Sequence, residues 1–306
     1  MTDTTIGKVQ LDLSGYDPSF VYSDGDVEEE ILRIVKDGED LDRIINTTES
    51  WPVFYHLSPI RENILQWYPF GEGAKVLEIG AGCGAVTGVL TRKCSQTVAL
   101  DLSLRRCQIN AWRHRECENL RVVVSNFQRF AETSTEKFDY ITLIGVFEYA
   151  ASYLDSAHPC SDMLELANGL LKPGGRILIA IENRFGAKYF AGCAEDHLGT
   201  FFSGICGYPQ GSKVKTLNYR EWIHLLEKNG FRQYQFYYPY PDYKFPIAIY
   251  SDERLPQKGE LNRNLSNLDR ERYSFFDEGR FWDSLDGTDY AKDFANSFLI
   301  DVSSKE

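Results

Sequence analysis

The stretch Glu78-Ile79-Gly80-Ala81-Gly82-Cys83-Gly84 places three glycines at alternate positions, two residues after an acid. Glycine turns of this kind bring backbone N–H groups close to a nucleotide. A dinucleotide turn reads G-x-G-x-x-G and seats a pyrophosphate on the following helix. Ala85 fills the sixth place here, so the glycines alone leave NAD open. The acids decide otherwise. Glu78 would repel a pyrophosphate at close range and suits a ligand that carries an ammonium group. Asp101, in "VALDL", is spaced to accept hydrogen bonds from ribose hydroxyls. S-adenosylmethionine (SAM) has both an ammonium and a ribose, and it has no phosphate.

These residues need a strand, a tight turn and a helix to hold them, and the surrounding sequence supplies that rhythm. Strand-like "KVLEIG", "QTVALDL", "LRVVVSNF", "FDYITLIGVF" and "RILIAIE" alternate with helix-like segments. Short apolar strands separated by helices indicate a parallel sheet covered on both faces. Before Lys75 the chain is acidic and loosely patterned, with a candidate helix at "VEEEILRIVK", and residues 1–70 are read as an N-terminal helical lid. Residues 71–306 are read as one domain with two insertions, at about 183–215 and 239–293, where the alternation breaks. Between them lie the helix "YREWIHLLEKNG" and the strand "FRQYQFYY". Asn218 and Glu221 have capping-box spacing at that helix's start, and Gly230 ends it.

With these motifs the chain resembles the class I SAM-dependent methyltransferases. "EIGAGCG" is similar to that family's first motif, "VALDLS" to its ribose motif and "VSNF" to its adenine-edge motif. The family more often has Asp where this chain has Asn126, whose amide oxygen can still accept a hydrogen bond. The resemblance implies a Rossmann-like α/β sheet of seven strands, the last antiparallel and supplied by "NSFLIDV". It implies SAM as cofactor, with S-adenosylhomocysteine as its product. It implies a pocket built from Glu78, Gly80, Ala81, Gly82, Gly84, Asp101, Leu102, Asn126 and Phe127. Arg61, in the helix before the first of these strands, either reaches the carboxylate of SAM or is a plain surface arginine.

Methyl transfer is an in-line displacement, so the protein positions the acceptor and, for a hydroxyl, removes its proton. Groups suited to that work follow the fourth and fifth strands: Glu148, Tyr149, Glu182, Asn183, Glu195, Asp196, His197 and Asp242. His197 in "EDH" reads as a general base with acids beside it, or as part of a solvated loop. Glu148 and Glu182 stand next in line. Relatives often carry His after the acid at the Glu148 position, where this chain has Tyr149. His56, His114, His158 and His224 read as ordinary surface or core histidines. A divalent metal held by Asp196, His197 and a later acid is a lower-ranked alternative, since no ligand spacing enforces it.

The insertions are aromatic, with "FYYPYPDYKFPIAIY" the densest run. The stretch from about 180 to 300 resembles a bacterial methyltransferase group that accompanies glycosyltransferases in surface-polysaccharide pathways. That resemblance implies a sugar or glycan acceptor and association with glycosyltransferases. Two other functions remain open: an N- or O-methyltransferase of secondary metabolism, and a non-catalytic SAM-binding module.

A net charge of −12 without a basic block argues against a nucleic-acid partner. Seven scattered cysteines without a C-x-x-C pair, and a polar start, fit a reduced, cytoplasmic protein. The longest apolar runs are too short to span a bilayer. Oligomeric state is not legible.

Overall fold

The computed structural model describes residues 4–19, 25–262 and 272–305. The chain forms two compact units. The first takes residues up to Leu143 together with Leu166–Ile177; the second takes Ile144–Glu165 and Leu178–Lys305. Parts of the expected lid (1–3 and 20–24) and of the second insertion (263–271) lie outside the described residues.

The strands of the first unit are β1 (Thr4–Ile6), β2 (Val9–Asp12), β3 (Lys75–Ile79), β4 (Gln96–Asp101), β5 (Leu120–Val124) and β6 (Phe138–Ile144, its last residue counted in the second unit). Then comes β7 (Leu171–Glu182), whose residues are divided between the units. The order is β1-β2-β5-β4-β3-β6-β7. The pairs β2–β5, β5–β4, β4–β3 and β3–β6 are parallel. Val76, Leu77, Ala99 and Val122 are fully buried, as expected of strands covered on both faces. Chain order reverses on either side of β3, and ligands of open α/β sheets bind at the carboxyl ends beside such a reversal.

In the second unit β7 is followed in the sheet by β10 (Ser297–Ser303), β8 (Tyr234–Tyr240) and β9 (Ala248–Ser251). β10 runs antiparallel to β8, and β8 antiparallel to β9. "NSFLIDV" is thus the antiparallel final strand that was expected. The helix Tyr219–Lys228 carries the expected capping box between Asn218 and Glu221, and Gly230 follows it at φ +82°.

The expectation of seven strands needs correction, since the described residues form ten. β9 extends one edge, and the antiparallel hairpin β1–β2 extends the other by laying β2 along β5. The N-terminal segment is therefore not wholly helical. The signal was present in "VQLDL", where Val9 and Leu11 are buried and Gln10 is exposed, an alternation of period two. Beyond the hairpin, the helix Val27–Asp37 buries Ile31, Ile34 and Val35. These pack with Val53, Leu57, Ile109 and Cys83, so the N-terminal helices share a core with the glycine turn itself.

Candidate functional site

In the first unit, β3 delivers Glu78 and then the glycine turn. Gly80, Gly82 and Gly84 have φ of +68°, +53° and +78°, a backbone region that side-chain-bearing residues avoid. A Cβ on Gly82 would meet nothing within 4 Å, which leaves an open cradle above the turn. A Cβ on Gly84 would lie 2.4 Å from Asn110 Oδ1, so only glycine fits there. Ala81 is buried and donates its N–H to the Leu100 carbonyl.

Asp101 ties the turn to the next strand. One oxygen accepts from the Gly82 N–H at 2.9 Å and the other from the Ser103 N–H at 2.8 Å. Each carboxylate oxygen retains a second lone pair for a ligand hydroxyl. Glu78 is buried, and its Oε2 accepts from the Thr87 hydroxyl at 2.6 Å. Burial pushes its carboxyl up to about 8. Thr87 in turn accepts from Asn110 Nδ2 at 3.0 Å, so Glu78 anchors the helix that follows the turn.

Other expected cofactor residues lie in the same unit with distinct jobs. Asn126 Oδ1 accepts from the N–H groups of Gln128 and Arg129 and caps the helix Phe127–Thr133. The oxygen read from the sequence as an adenine acceptor thus also caps this helix. Phe127 is buried and Leu102 half-buried. Arg61 is only 4% exposed, with its guanidinium 4.3 Å from the Tyr55 ring centre, which overturns the surface-arginine reading. His114 was passed over in the sequence. Its Nε2 lies 3.0 Å from the Gly84 carbonyl, and burial pushes its pKa down to about 3. The available signal was its spacing of four from Asn110, which puts both on the helix face behind the turn. The open cradle above the turn and the free lone pairs of Asp101 fit SAM and its ribose, whereas Glu78, buried against Thr87, acts on the turn from behind. When bound, SAM supplies an electrophilic methyl group on its sulfonium.

The second unit holds a buried charge cluster. Glu182, the last residue of β7, is fully buried, and Glu148, in the 3₁₀ turn Phe147–Tyr149, is 2% exposed. His197 Nε2 lies 3.5 Å from Glu182 Oε2, and its Nδ1 lies 3.1 Å from the Tyr149 hydroxyl. The three residues proposed from sequence as catalytic therefore converge. Residues of both insertions complete the group. Lys244 Nζ sits 2.6 Å from both Glu182 Oε1 and Asp196 Oδ1, and Lys188 Nζ is 3.0 Å from Asp196 Oδ2. Lys188 also reaches Asp242 Oδ2 at 3.5 Å, and the Tyr189 hydroxyl donates to Asp196.

The charges set one another. Burial alone would raise the Glu182 pKa, but Lys244 and then His197 outweigh it and hold the carboxyl below its ordinary range. Glu148 is pushed up to about 8, first by burial and then by the Glu182 charge. Burial opposes a charged His197, yet the Glu182 carboxylate raises its pKa to about 9. With Glu148 protonated and His197 charged, three carboxylates face three cations.

Remaining candidates are structural. Glu195 Oε2 accepts from the N–H groups of His197 and Leu198, which fixes the loop that carries the imidazole. Asn183 Nδ2 donates to the carbonyls of Asp293 and Ala295. Asp242 Oδ1 accepts from the Lys244 N–H at 2.9 Å. Lys188 and Lys244 were missed, because isolated lysines in "GAKYF" and "PDYKFP" carry no spacing signal.

Among the described residues no helix is long and apolar enough to cross a membrane. Curated relatives include ubiquinone biosynthesis O-methyltransferases. That of Nitrosococcus oceani is 27% identical over 137 residues, 44% of this chain and 55% of its own. That of Azoarcus sp. is 24% identical over 147 residues, 47% of this chain and 60% of its own. The chain spans about half the length of the curated relatives it matches. A solved SAM-dependent methyltransferase from Archaeoglobus fulgidus is 14% identical, with a TM-score of 0.48, covering 90% of this chain and 99% of that one. A family model described as a methyltransferase domain matches residues 52–235, more than half of the chain. The chain belongs to this family of methyltransferase domains.

Proposed function

We propose that the enzyme transfers the methyl group to a hydroxyl, on a sugar or glycan precursor, and that the hydroxyl proton is drawn off at the Glu148–Glu182–His197 cluster. The observation that carries this reading is the buried His197 imidazole held 3.5 Å from the Glu182 carboxylate, with the Glu148 carboxyl beside it. With its pKa raised to about 9, the ring takes the proton only in its neutral form, so turnover should rise with pH towards that value. A hydroxyl is a poor nucleophile until its proton has somewhere to go, whereas a neutral amine needs no such group. The matched relatives are named O-methyltransferases, which favours the same atom.

Support for a ring-shaped acceptor comes from the aromatic insertions. Phe201, Phe202, Tyr273 and Phe275 are each more than 40% exposed. The Tyr273 and Phe275 rings lie within 7° of parallel. Exposed aromatic faces pack against the C–H faces of sugars while hydroxyls stay free to hydrogen-bond. On this reading residues 183–215 and 239–293 form the acceptor site, and association with glycosyltransferases follows from such a substrate.

The test is an acceptor panel of free sugars, nucleotide sugars, catechols and amines with methyl-labelled SAM. Products are then assigned by carbon NMR. Methoxy signals from sugars are expected. Transfer confined to amines would overturn the proposal, and transfer confined to catechols would remove its sugar component.

A further inference from the structure

We infer that Glu148, Glu182 and His197 form a binding site for a single divalent metal ion that accepts mixed carboxylate and imidazole ligands, Mn²⁺ or Zn²⁺. For what the ion acts on, this rests on the hydroxyl reading above; for the ion itself, it rests on the site's geometry. One ligand atom from each residue lies within 4.8 Å of the other two. Glu148 Oε2 is buried without a hydrogen-bond partner, and Glu182 Oε2 and His197 Nε2 face each other at 3.5 Å without forming a full hydrogen bond. A cation would take the place of the proton between them. A single such buried atom is an ordinary cost, but three that converge on one point share one remedy. A cation satisfies two carboxylate oxygens and a ring nitrogen at once.

The surroundings aim these atoms inward. The Tyr149 hydroxyl takes His197 Nδ1 at 3.1 Å, leaving Nε2 as the free edge of the ring. Lys244, at 2.6 Å, and the Tyr243 hydroxyl, at 3.3 Å, both take Glu182 Oε1, leaving Oε2. Hydrogen bonds to the far side of each ligand are how proteins orient metal-binding side chains. The loop bearing His197 is itself pinned by Glu195 through two backbone N–H groups. An imidazole beside two carboxylates suits Mn²⁺ or Zn²⁺ better than Mg²⁺, which prefers oxygen and water. Three protein ligands leave coordination positions open, where the acceptor oxygen would be polarised.

The experiment uses full-length protein stripped with a chelator. It is titrated with Mn²⁺ and followed by electron paramagnetic resonance, with Zn²⁺ as competitor. One saturable site per chain is expected. Glu148→Gln, which keeps the side chain's size, should abolish stoichiometric binding, and His197→Ala should do the same. Tyr149→Phe should weaken binding roughly tenfold, as loss of an outer hydrogen bond does. Titration of each variant with SAM verifies that it is folded. No saturable binding of either ion, or equal binding by Glu148→Gln, overturns the site. If no ion binds but methoxy products still form, the metal site falls and the O-methylation reading stands. If the ion binds and products carry N-methyl groups, the reverse holds.

Discussion

The glycine turn and the buried charge cluster are built on opposite plans. The turn is made of backbone: a run of seven residues, three positive φ angles and one aspartate that gathers two N–H groups. The cluster is made of side chains brought from Glu148, Glu182, His197 and Lys244, and no two of these are neighbours in sequence. In the turn, charge is sparse and each acid is held by neutral donors. In the cluster, every charge depends on another, so removing one member leaves its partner buried and uncompensated. The two sites should therefore fail differently when altered.

The largest effect is expected at Lys244. Lys244→Met leaves Glu182 and Asp196 short of a cation in the interior and should cost about 3–5 kcal/mol of unfolding free energy. Urea denaturation measures it. A loss below about 1 kcal/mol, the level of an exposed pair, would mean that the cluster is solvated, and the contrast with the turn would collapse.

Next comes Gly84→Ala. A Cβ 2.4 Å from Asn110 Oδ1, at φ +78°, adds overlap to backbone strain and should cost about 2–4 kcal/mol. The same substitution at Gly82, where a Cβ meets nothing, should cost only the strain and intrude on the cradle instead. Calorimetry with SAM separates the two: Gly82→Ala should lose affinity out of proportion to stability. A third substitution, Asp101→Ala, orphans the N–H groups of Gly82 and Ser103 and removes the acid read as the ribose acceptor. It should weaken SAM binding roughly 10- to 100-fold, the equivalent of one or two lost charged hydrogen bonds.

Smaller effects are expected from pH, and they run in opposite directions. His114, behind the turn, has its pKa lowered to about 3. Its contribution to stability is complete above the unfolded value of 6.5 and is lost as pH falls through 3. Glu148 has its pKa raised from 4.5 to about 8, so its contribution is complete below 4.5 and is lost as pH rises through 8. His197, raised from 6.5 to about 9, is complete below 6.5 and fades as pH rises through 9. Glu78, raised to about 8, gives the first unit an alkaline loss of its own. Hydrogen exchange between pH 4 and 9, with chelator present, should show acid loosening at residues 80–90 and alkaline loosening in both units. Glu148→Gln should reduce the alkaline loss at residues 145–150 and leave the turn unaffected.

The same contrast explains what the sequence disclosed. The turn, Asp101 and the strands β3 to β7 follow from local pattern, because a backbone site is written in consecutive residues. His197, Glu148 and Glu182 could be named as candidates from their positions after the strands. Their convergence could not be read, since it depends on how a loop at 195–197 and a turn at 242–244 fold back. Lys244 carried no signal because a buried lysine differs from a surface one only in its surroundings. β2 was legible in "VQLDL" but was masked by the acidic sequence around it. Asn126 shows that a motif residue can carry a structural duty that its motif does not disclose, here the cap of the helix that follows.

If the turn holds SAM and the cluster handles the acceptor proton, turnover and cofactor affinity should separate when the cluster is altered. The measurement that tests it most directly pairs turnover on a methoxy-forming acceptor with calorimetric SAM affinity in His197→Ala. The account predicts turnover lower by roughly 10²- to 10⁴-fold, with SAM affinity unchanged within a factor of two or so. Normal turnover, or a matching fall in SAM affinity, would contradict it.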